Sequence, residues 1–340
     1  MSELGGASVG IAGIGTYFPP NVETAADLVD RTGIPEDILR EKMGIRQRHV
    51  AGSEDTVTHM GSCAAQEALA NAVVAPEKIG VVISHGSEYK DHLVWNAAAR
   101  IQQAVGAVNA YAFEVYALCA GAPIALQTAR GLMLADPRIE YALLAAASRE
   151  NDLVNLHNPR VRFMYNFGAG GGAMVLRRNA DRNRIVGMSA FTDGTLSESV
   201  VLSQEAEALG DQAQAQGDLR GMLDVAQPEY MAERLEATSL ANFVRVIREC
   251  VEQARHSLED VCFLGITHMK RSFYEEILKA VGLTPDESVY LEDYGHIQSV
   301  DQVLLLQLGL EQGKIRPGDL IVLAGAGVGY TWSAVAIQWG

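Results

Sequence analysis

The chain is short of several features that mark whole classes of protein. Its 340 residues include 27 lysines and arginines against 42 aspartates and glutamates, a formal net charge of −15, which disfavours nucleic acid because phosphates need a basic surface. Four cysteines are too few for a disulfide framework and favour a reducing, cytoplasmic compartment. No apolar run reaches the ~18 residues of a membrane span, and no basic segment precedes the apolar start, as a signal peptide requires.

Hydrophobic segments recur regularly along the chain, with 48% hydrophobic residues and 33 glycines. Predicted strands such as Tyr141–Ala147 and Asp319–Leu323 alternate with predicted helices such as Gln298–Glu311, which favours an α/β fold with parallel sheets between helices. Each half begins with a strand, carries a helix after a reactive side chain, and ends in a glycine-rich turn plus a strand. We therefore predict a duplication into halves 1–180 and 181–340, with the site where they meet.

Cys119 stands at a change from strand to helix. The segment predicts an apolar strand over Ala112–Leu118, then Cys119, small residues and an apolar helix up to Ala135. A thiol at a helix N-terminus lies near the positive end of the macrodipole, which favours the nucleophilic thiolate. The alternative is a core cysteine, since free cysteines are among the most buried residues. The other cysteines lie in apolar patterns and are predicted to be core residues: Cys63, Cys250 and Cys262.

Two histidines follow predicted strands in the second half of the chain. His268 comes directly after the strand Val261–Thr267, and His296 follows a short strand, Val289–Leu291, and a turn. Ligand sites in α/β sheets gather at the carboxyl ends of strands, so we expect both histidines to lie near Cys119. A zinc site made of the three side chains is conceivable from residue type, but no close-spaced ligand pair supports it.

Several motifs occur in a characteristic order. They are GIGTYFPP near the start, MGIRQRHVA at Met43–Ala51, the Ala-Gly pair after Cys119, NFGAGGGAMVL at Asn166–Leu176, the His268 segment, and KIRPGDLIVLAGAGVGYTW from Lys314. In this order the chain resembles, over nearly its whole length, the β-ketoacyl-acyl-carrier-protein synthase III family of thiolase-like condensing enzymes. The resemblance implies a thiolase-like fold, with two duplicated βαβαβ-type halves in αβαβα layers, and a homodimer.

The resemblance also implies roles for individual residues. In that family a cysteine carries an acyl group as a thioester, while a histidine and an asparagine hydrogen-bond the carbonyl of a decarboxylating malonyl thioester. By position the cysteine is Cys119 and the histidine is His268, and the backbone N–H groups of Cys119 and Gly329 form the oxyanion hole. The implied function is an acyltransferase that joins acyl-Cys119 to a malonyl-type carbanion by Claisen condensation, in fatty-acid or polyketide metabolism. CoA or carrier-protein thioesters are then substrates, and no cofactor is permanently bound.

The chain departs from the family pattern at two motifs. His296 occupies the asparagine position, and His268 is followed by Met-Lys-Arg where the family usually has Gln-Ala-Asn. A neutral imidazole N–H can still donate to an enolate oxygen. Histidine also moves protons near neutral pH, so the alternative function is transfer of the cysteine-bound acyl group to a hydroxyl or amine. A non-catalytic subunit is a further alternative, which the intact Cys/His/His set disfavours.

Glu88 adds a third possible reaction. It falls at the position of the catalytic glutamate of 3-hydroxy-3-methylglutaryl-CoA synthases, which share the fold and make a carbanion without decarboxylation. The alternative is a solvated loop residue, the common environment of glutamate.

Basic residues cluster in two of the motifs. Lys42 and Arg46 flank the MGIR turn, and Lys270 and Arg271 follow His268. By resemblance they contact the phosphates of CoA or of a carrier's phosphopantetheine. An acidic carrier protein would otherwise be repelled by the overall charge. The alternative is a solvated charged turn.

Overall fold

The computed structural model describes residues 7–86, 89–92, 94–202 and 219–340. The strands are β1 (Val9–Tyr17), β2 (Val22–Thr24), β3 (Gln47–His49), β4 (Ile79–His85), β5 (Tyr111–Val115), β6 (Tyr141–Ser148), β7 (Gly170–Arg178), β8 (Arg184–Thr192), β9 (Val200–Leu202), β10 (Leu223–Val225), β11 (Val261–Ile266), β12 (Leu320–Gly327) and β13 (Thr331–Gln338). The α-helices are α1 (Ala25–Thr32), α2 (Val57–Ala72), α3 (Ala97–Val105), α4 (Gly121–Ala135), α5 (Pro228–Gln253), α6 (Arg271–Ala280) and α7 (Val300–Glu311). The predicted α/β class is confirmed.

Nine of these strands form one sheet, in the order β11-β12-β13-β8-β1-β7-β6-β4-β5. The strands of residues 1–180 occupy one side and those of 181–340 the other, joined in the middle by the pair Gly10 and Arg184 of β1 and β8. Outward from that seam both sides repeat one pattern, two antiparallel pairings followed by a parallel one. A duplication at residue 180 requires such a repeat. The duplication itself and its boundary remain predictions.

The helices and strands stack in five layers. Helices α4 and α7 pack in the middle, in one cluster that joins Leu126 and Leu304 to strand residues of both halves, such as Leu144 and Ile321. Helices α2 and α3 cover the outer face of the first half, and α5 and α6 that of the second. Every residue of β6 is buried, as expected for a strand covered on both faces.

Contrary to the expectation that no apolar run reaches the length of a membrane span, the segment Leu118–Ala135 is long and apolar enough to cross a membrane by length and composition. In the fold it contains α4, whose residues Ala125, Leu126, Ala129 and Met133 are fully buried in the central cluster. Its hydrophobicity is therefore accounted for by packing between the two halves, since a core helix needs no polar face.

Five predictions need correction. The predicted strand Ala112–Leu118 ends earlier, at Val115, and Leu118–Ala120 forms a short 3₁₀ turn instead. Val289–Leu291 lies outside the named strands, and the helix predicted from Gln298 begins at Val300. Cys262 is exposed at the start of β11, where the pairing with β12 is irregular between Val261 and Phe263. Of the other two predicted core cysteines, Cys250 is buried and Cys63 is only half-buried.

Candidate active site

Cys119 lies in a tight turn between β5 and α4. Its side chain is buried, with 5% exposure. The preceding residue, Leu118, has φ of 48°, a left-handed conformation that is unusual for a bulky residue. The end of β12 packs against this turn so closely that a Cβ on Gly327 would lie 2.4 Å from the carbonyl oxygen of Ala117 and 3.1 Å from the Cys119 nitrogen. Only glycine fits there, so the turn is held by backbone contact.

His296 meets the cysteine directly. Its Nε2 lies 3.0 Å from Cys119 Sγ, and both side chains are buried. The backbone of His296 is fixed by the segment before β7: its N–H donates to the carbonyl of Asn166 at 2.7 Å, and its carbonyl accepts from Gly168 N–H at 2.9 Å. The ring of Phe167 stands edge-on to the imidazole, with centroids 5.1 Å apart. The NFGAGGG motif thus helps to place the imidazole.

Asp301, on the first turn of α7, connects the two histidines. It is fully buried. His296 Nδ1–H donates to Asp301 Oδ2 at 2.6 Å, and the backbone N–H of His268 donates to the same oxygen at 2.8 Å. The other oxygen accepts from the N–H of Ile297 at 2.8 Å. Cys119, His296 and Asp301 therefore form a continuous chain of hydrogen bonds, an arrangement that orients and polarises a nucleophile.

The charge of Asp301 controls the protonation of His296. Burial alone would lower the pKa of His296, but the charges of Asp301 and Cys119 and the hydrogen bonds to both outweigh it and raise that pKa well above its ordinary value. A protonated His296 then donates to Cys119 Sγ, the contact by which a histidine activates a neighbouring nucleophile.

His268 has the opposite electrostatic state. Burial lowers its pKa to about 4, although Asp301 acts in the other direction, so the ring is neutral at neutral pH. Its Nε2 lies 3.0 Å from the carbonyl oxygen of Gly44, in the MGIR turn. Its Nδ1 is buried and has no hydrogen-bond partner among the described residues. The ring of Tyr290 packs beside it at 4.7 Å between centroids.

Gln302 ties the cysteine turn to the His268 segment. Its Nε2 donates to Thr267 Oγ1 at 2.7 Å, to the carbonyl of Ala324 at 3.2 Å and to the carbonyl of Cys119 at 3.4 Å. The side chain is fully buried. Asp301 and Gln302 together therefore link the Cys119 turn to β12 and to the segment that follows β11.

Neither Asp301 nor Gln302 is identified from the sequence above. A signal was present: both are polar residues inside the apolar run VDQVLLL, and a buried carboxylate is rarely tolerated without partners. Asp301 also follows His296 by five residues, close enough for a helix start to reach back to the histidine.

Two predicted catalytic positions are less defined. Gly329 has a φ of 96°, and a Cβ there would meet nothing within 4 Å, so it borders open space. Its role in an oxyanion hole remains a prediction. Glu88 lies outside the described residues, and its role also remains a prediction. Among the residues that the structure describes, no group of three or more His, Cys, Asp or Glu could hold a metal ion.

The four predicted phosphate-binding residues fall into two pairs. Arg46 forms an ion pair with Asp293, and Arg271 pairs with Glu292 and lies over the ring of Tyr290, 4.3 Å from its centroid. Lys42 and Lys270 are exposed. Contact of these residues with CoA or a carrier remains a prediction.

A third basic residue of the MGIR segment is structural. Arg48 is buried and donates to Glu23 and to the carbonyls of Tyr165 and Phe167.

A layered αβαβα fold that brings a cysteine, a histidine and a carboxylate together is typical of thiolase-like enzymes. The family described as 3-oxoacyl-[acyl-carrier-protein] synthase III matches residues 113–194, and its C-terminal domain matches residues 251–339, together about half of the chain. The chain belongs to this family of condensing enzymes, as the motifs predicted.

Individual proteins are similar over their full length. The β-ketoacyl-[acyl-carrier-protein] synthase III of Synechocystis sp. is 27% identical over 346 residues, covering 100% of both chains. The crystal structure of 3-oxoacyl-[acyl-carrier-protein] synthase III from Aquifex aeolicus superposes with a TM-score of 0.83 at 25% identity, covering 97% of this chain and 100% of that one. The priming β-ketosynthase of the R1128 polyketide pathway has a TM-score of 0.85 at 23% identity, covering 98% and 96%. The predicted thiolase-like fold is confirmed.

Proposed function

We propose that this chain takes an acyl group from a thioester onto Cys119 and joins it to a malonyl-type carbanion, the Claisen condensation of its family. The supporting observation is the 3.0 Å contact of Cys119 Sγ with His296 Nε2, backed by Asp301. The thiolate attacks the acyl carbonyl, the donor thiol leaves with the proton of His296, and a thioester forms on Cys119. Decarboxylation of the malonyl thioester supplies the carbanion, which displaces the cysteine and forms a β-ketoacyl thioester.

Intact mass spectrometry after incubation with acyl-CoA donors tests the first step. We expect one acyl mass on the wild-type chain and none on Cys119→Ala. The exposed Cys262 makes Cys262→Ser the matched control, which should acquire the acyl mass like the wild type. If Cys119→Ala is acylated to the same extent, the nucleophile assignment is wrong.

A second candidate function is acyl transfer to a hydroxyl or amine. It is favoured by the hydrogen bond from His296 to Asp301, since a carboxylate behind the imidazole suits a residue that takes and returns protons. The two functions differ in their products: with malonyl-CoA as second substrate, condensation releases CO₂, whereas transfer gives an ester or amide without CO₂.

We infer that the thioesters arrive on CoA or on the phosphopantetheine of an acidic carrier protein, beside the MGIR turn. A pocket of about 560 Å³ lies there, lined in part by Arg40, Arg46, His49 and Tyr294, and the exposed Lys42 follows in the same segment. The reaction would take place in the cytoplasm, in keeping with four unpaired cysteines. Carrier binding that does not weaken with added salt would argue against this contact.

We also propose that the chain works as a homodimer joined along β5. This strand ends the sheet order, and exposed apolar side chains surround it, with Tyr111 50%, Tyr116 64% and Val108 70% exposed. An uncovered edge with apolar neighbours favours pairing with a second copy. Sedimentation should give a dimer for the wild type and a monomer for Tyr111→Arg. A wild-type monomer at micromolar concentration contradicts the proposal.

A further inference from the structure

A third histidine, His85, is joined to Ser299 by two hydrogen bonds that connect the two halves of the chain. Both residues are fully buried. Ser299 Oγ–H donates to the backbone carbonyl of His85 at 2.7 Å, and His85 Nδ1 lies 3.1 Å from the same Oγ. The carbonyl takes the only hydrogen of the hydroxyl, so the ring N–H is the donor at the second contact. Burial lowers the pKa of His85 to about 4, so the ring is neutral, with its proton on Nδ1.

Ser299 makes this link instead of capping its own helix. It is the N-cap residue of α7, where a serine hydroxyl ordinarily accepts a hydrogen bond from the first turn. Its side chain makes no such bond here. The preceding residue, Gln298, has a φ of 51°, a left-handed conformation that persists in a non-glycine residue only where the surroundings hold it. The start of α7 therefore favours the contact with His85 over the stability of the helix itself.

The helix that follows the cysteine packs against the same link. A Cβ on Gly121, the first residue of α4, would lie 3.3 Å from Ser299 Cβ and 3.7 Å from His85 Cβ. The end of β4, the start of α4 and the start of α7 thus meet at these residues. Cys119 lies two residues before Gly121 along the chain, and Asp301 lies two residues after Ser299. The link therefore lies between the helix start next to the cysteine and the helix start that carries the carboxylate.

The second half holds α7 from the equivalent strand position. β4 pairs with β6 in the same register as β11 with β12, including an irregularity after the first pair. The last pair involves Ser84 in β4 and Ile266 in β11. The residues that follow, His85 and Thr267, therefore hold equivalent positions. Since Thr267 Oγ1 accepts from Gln302 Nε2 at 2.7 Å, the start of α7 is bonded to one side chain from each half.

We propose that His85 is a positioning residue for the reaction at Cys119, which holds Asp301 in place through Ser299. The action is indirect, because Ser299 and Asp301 belong to the same turn of backbone. Without the link the start of α7 should shift and weaken the hydrogen bond from His296 to Asp301. A misplacement of about 1 Å can slow catalysis ~10²-fold. This inference rests on the acylation of Cys119 proposed above.

Substitutions of His85 that keep or lose the Nδ1 donor test the link. The amide nitrogen of asparagine lies as many bonds from Cβ as Nδ1, whereas that of glutamine lies as many bonds away as Nε2. We expect acylation by hexanoyl-CoA to slow about 10- to 100-fold in His85→Gln and His85→Leu, and less than about threefold in His85→Asn. Stopped-flow kinetics measures these rates. Equal rates in His85→Asn and His85→Gln overturn the proposal, as does faster acylation in His85→Gln.

Ser299→Ala removes the other partner of the link with a smaller change in volume. We expect it to slow acylation about as much as His85→Leu. The double variant should be no slower than the slower single variant, because both substitutions remove the same contact. Losses that multiply in the double variant overturn the proposal.

Titration of His296 by NMR separates positioning from a general loss of stability and needs no turnover. In ¹⁵N-labelled protein the pKa of the His296 ring should fall in Ser299→Ala, because the charge of Asp301 that raises it is then less well aligned. The pKa should stay at the wild-type value in His85→Asn. An unchanged His296 pKa in Ser299→Ala overturns the proposal.

Ser288→Ala is the matched control for this titration. Ser288 is also fully buried, and its hydroxyl donates to the carbonyl of Leu264. The variant should lose stability without changing the pKa of His296, and an equal change in both serine variants overturns the proposal. Absence of an acyl mass on wild-type Cys119 would overturn the proposed function, and the titration would then decide whether the link exists.

Discussion

His296 and His268 have similar surroundings, but their rings differ in charge. Both histidines are buried, at 5% and 3% exposure, and both hydrogen-bond to Oδ2 of Asp301. Yet the pKa of His296 is raised well above the ordinary value and that of His268 is lowered to about 4. Asp301 accepts a ring N–H from His296 and only a backbone N–H from His268.

The comparison shows that burial near a carboxylate does not by itself protonate a histidine. A direct hydrogen bond to the ring stabilises the imidazolium, whereas desolvation dominates when the ring faces a neutral carbonyl such as that of Gly44. One carboxylate can thus support a proton donor and a neutral acceptor at the same time. Substitutions that change the charge or the length of the Asp301 side chain should remove this difference between the pKa values of His296 and His268.

The largest effect is expected from Asp301→Asn. The amide keeps the volume but removes the charge that opposes burial, so the pKa of His296 should fall and the two histidines should become alike. Without an imidazolium partner, Cys119 should be acylated about 10²–10⁴-fold more slowly at neutral pH, by analogy with loss of the carboxylate in a nucleophile triad. Stopped-flow acylation by acyl-CoA measures this. An unchanged rate would show that His296 does not need Asp301.

The pH dependence of stability should carry opposite signs for the two residues. The folded pKa of His268 lies near 4, below its unfolded value of 6.5, so its contribution is present above pH 6.5 and is lost as pH falls towards 4. This amounts to about 2 kcal/mol between pH 7 and 4.5. The contribution of His296, whose pKa is raised, is present below pH 6.5 and is lost as pH rises through the folded value.

Urea unfolding at several pH values should be compared between the wild type, His268→Gln and His296→Gln. The comparison separates the contributions of the two histidines to the free energy of unfolding from the titration of other groups. His268→Gln should flatten the acid side of the stability curve. His296→Gln should flatten the alkaline side. Equal slopes in both variants would mean that the two rings titrate alike.

A smaller effect is expected from Gln302→Met, which removes the second link between the two regions. The amide donors to Cys119 and Thr267 are lost, so unfolding free energy should fall by about 1–3 kcal/mol and acylation should slow roughly tenfold through misplacement of the cysteine turn. Gln307→Met is the control on the same helix, because that amide bonds only to the exposed end of Glu311. Equal losses in both variants would mean a general effect on the helix.

The smallest effect is expected from Arg271→Gln, at the outer side of the His268 region. Arg271 is partly exposed and pairs with Glu292, and such contacts contribute up to about 1 kcal/mol. We expect KM for CoA thioesters to rise up to about fivefold, with kcat unchanged. A fall in kcat with constant KM would place Arg271 in the chemistry around His268.

The fold was largely predictable from the sequence, because alternating strands and helices leave little choice of layer order. The residues at which the strands end were less predictable. The segment after Val115 is as apolar as the strand before it, so hydrophobicity could not show that the chain turns before Cys119. Cys262 lies in an apolar strand, and its exposure coincides with an irregularity in the pairing of β11 with β12, which no local pattern encodes.

The site was predictable as a set of reactive residue types but not as a network. Cys119, His268 and His296 stand out because each follows a predicted strand, although the strand predicted before His296 does not form. Asp301 and Gln302 act through contacts with residues up to 183 positions away, and such long-range pairings have no local periodicity. The resemblance predicted two donors at the histidines. These roles remain predictions; in the structure Gly44 and Asp301 each contact one ring nitrogen of a histidine.

The left-handed backbone of Leu118 affects which variants of this protein a selection for thermal stability would favour. A bulky residue there costs of order 1–3 kcal/mol, and the fold sustains it in the turn that carries Cys119. Variants selected for heat resistance should therefore tend to replace Leu118 by glycine or asparagine and relax the turn. Such variants would lose reactivity at the neighbouring thiol, so a gain in thermal stability at this position would lower catalytic turnover.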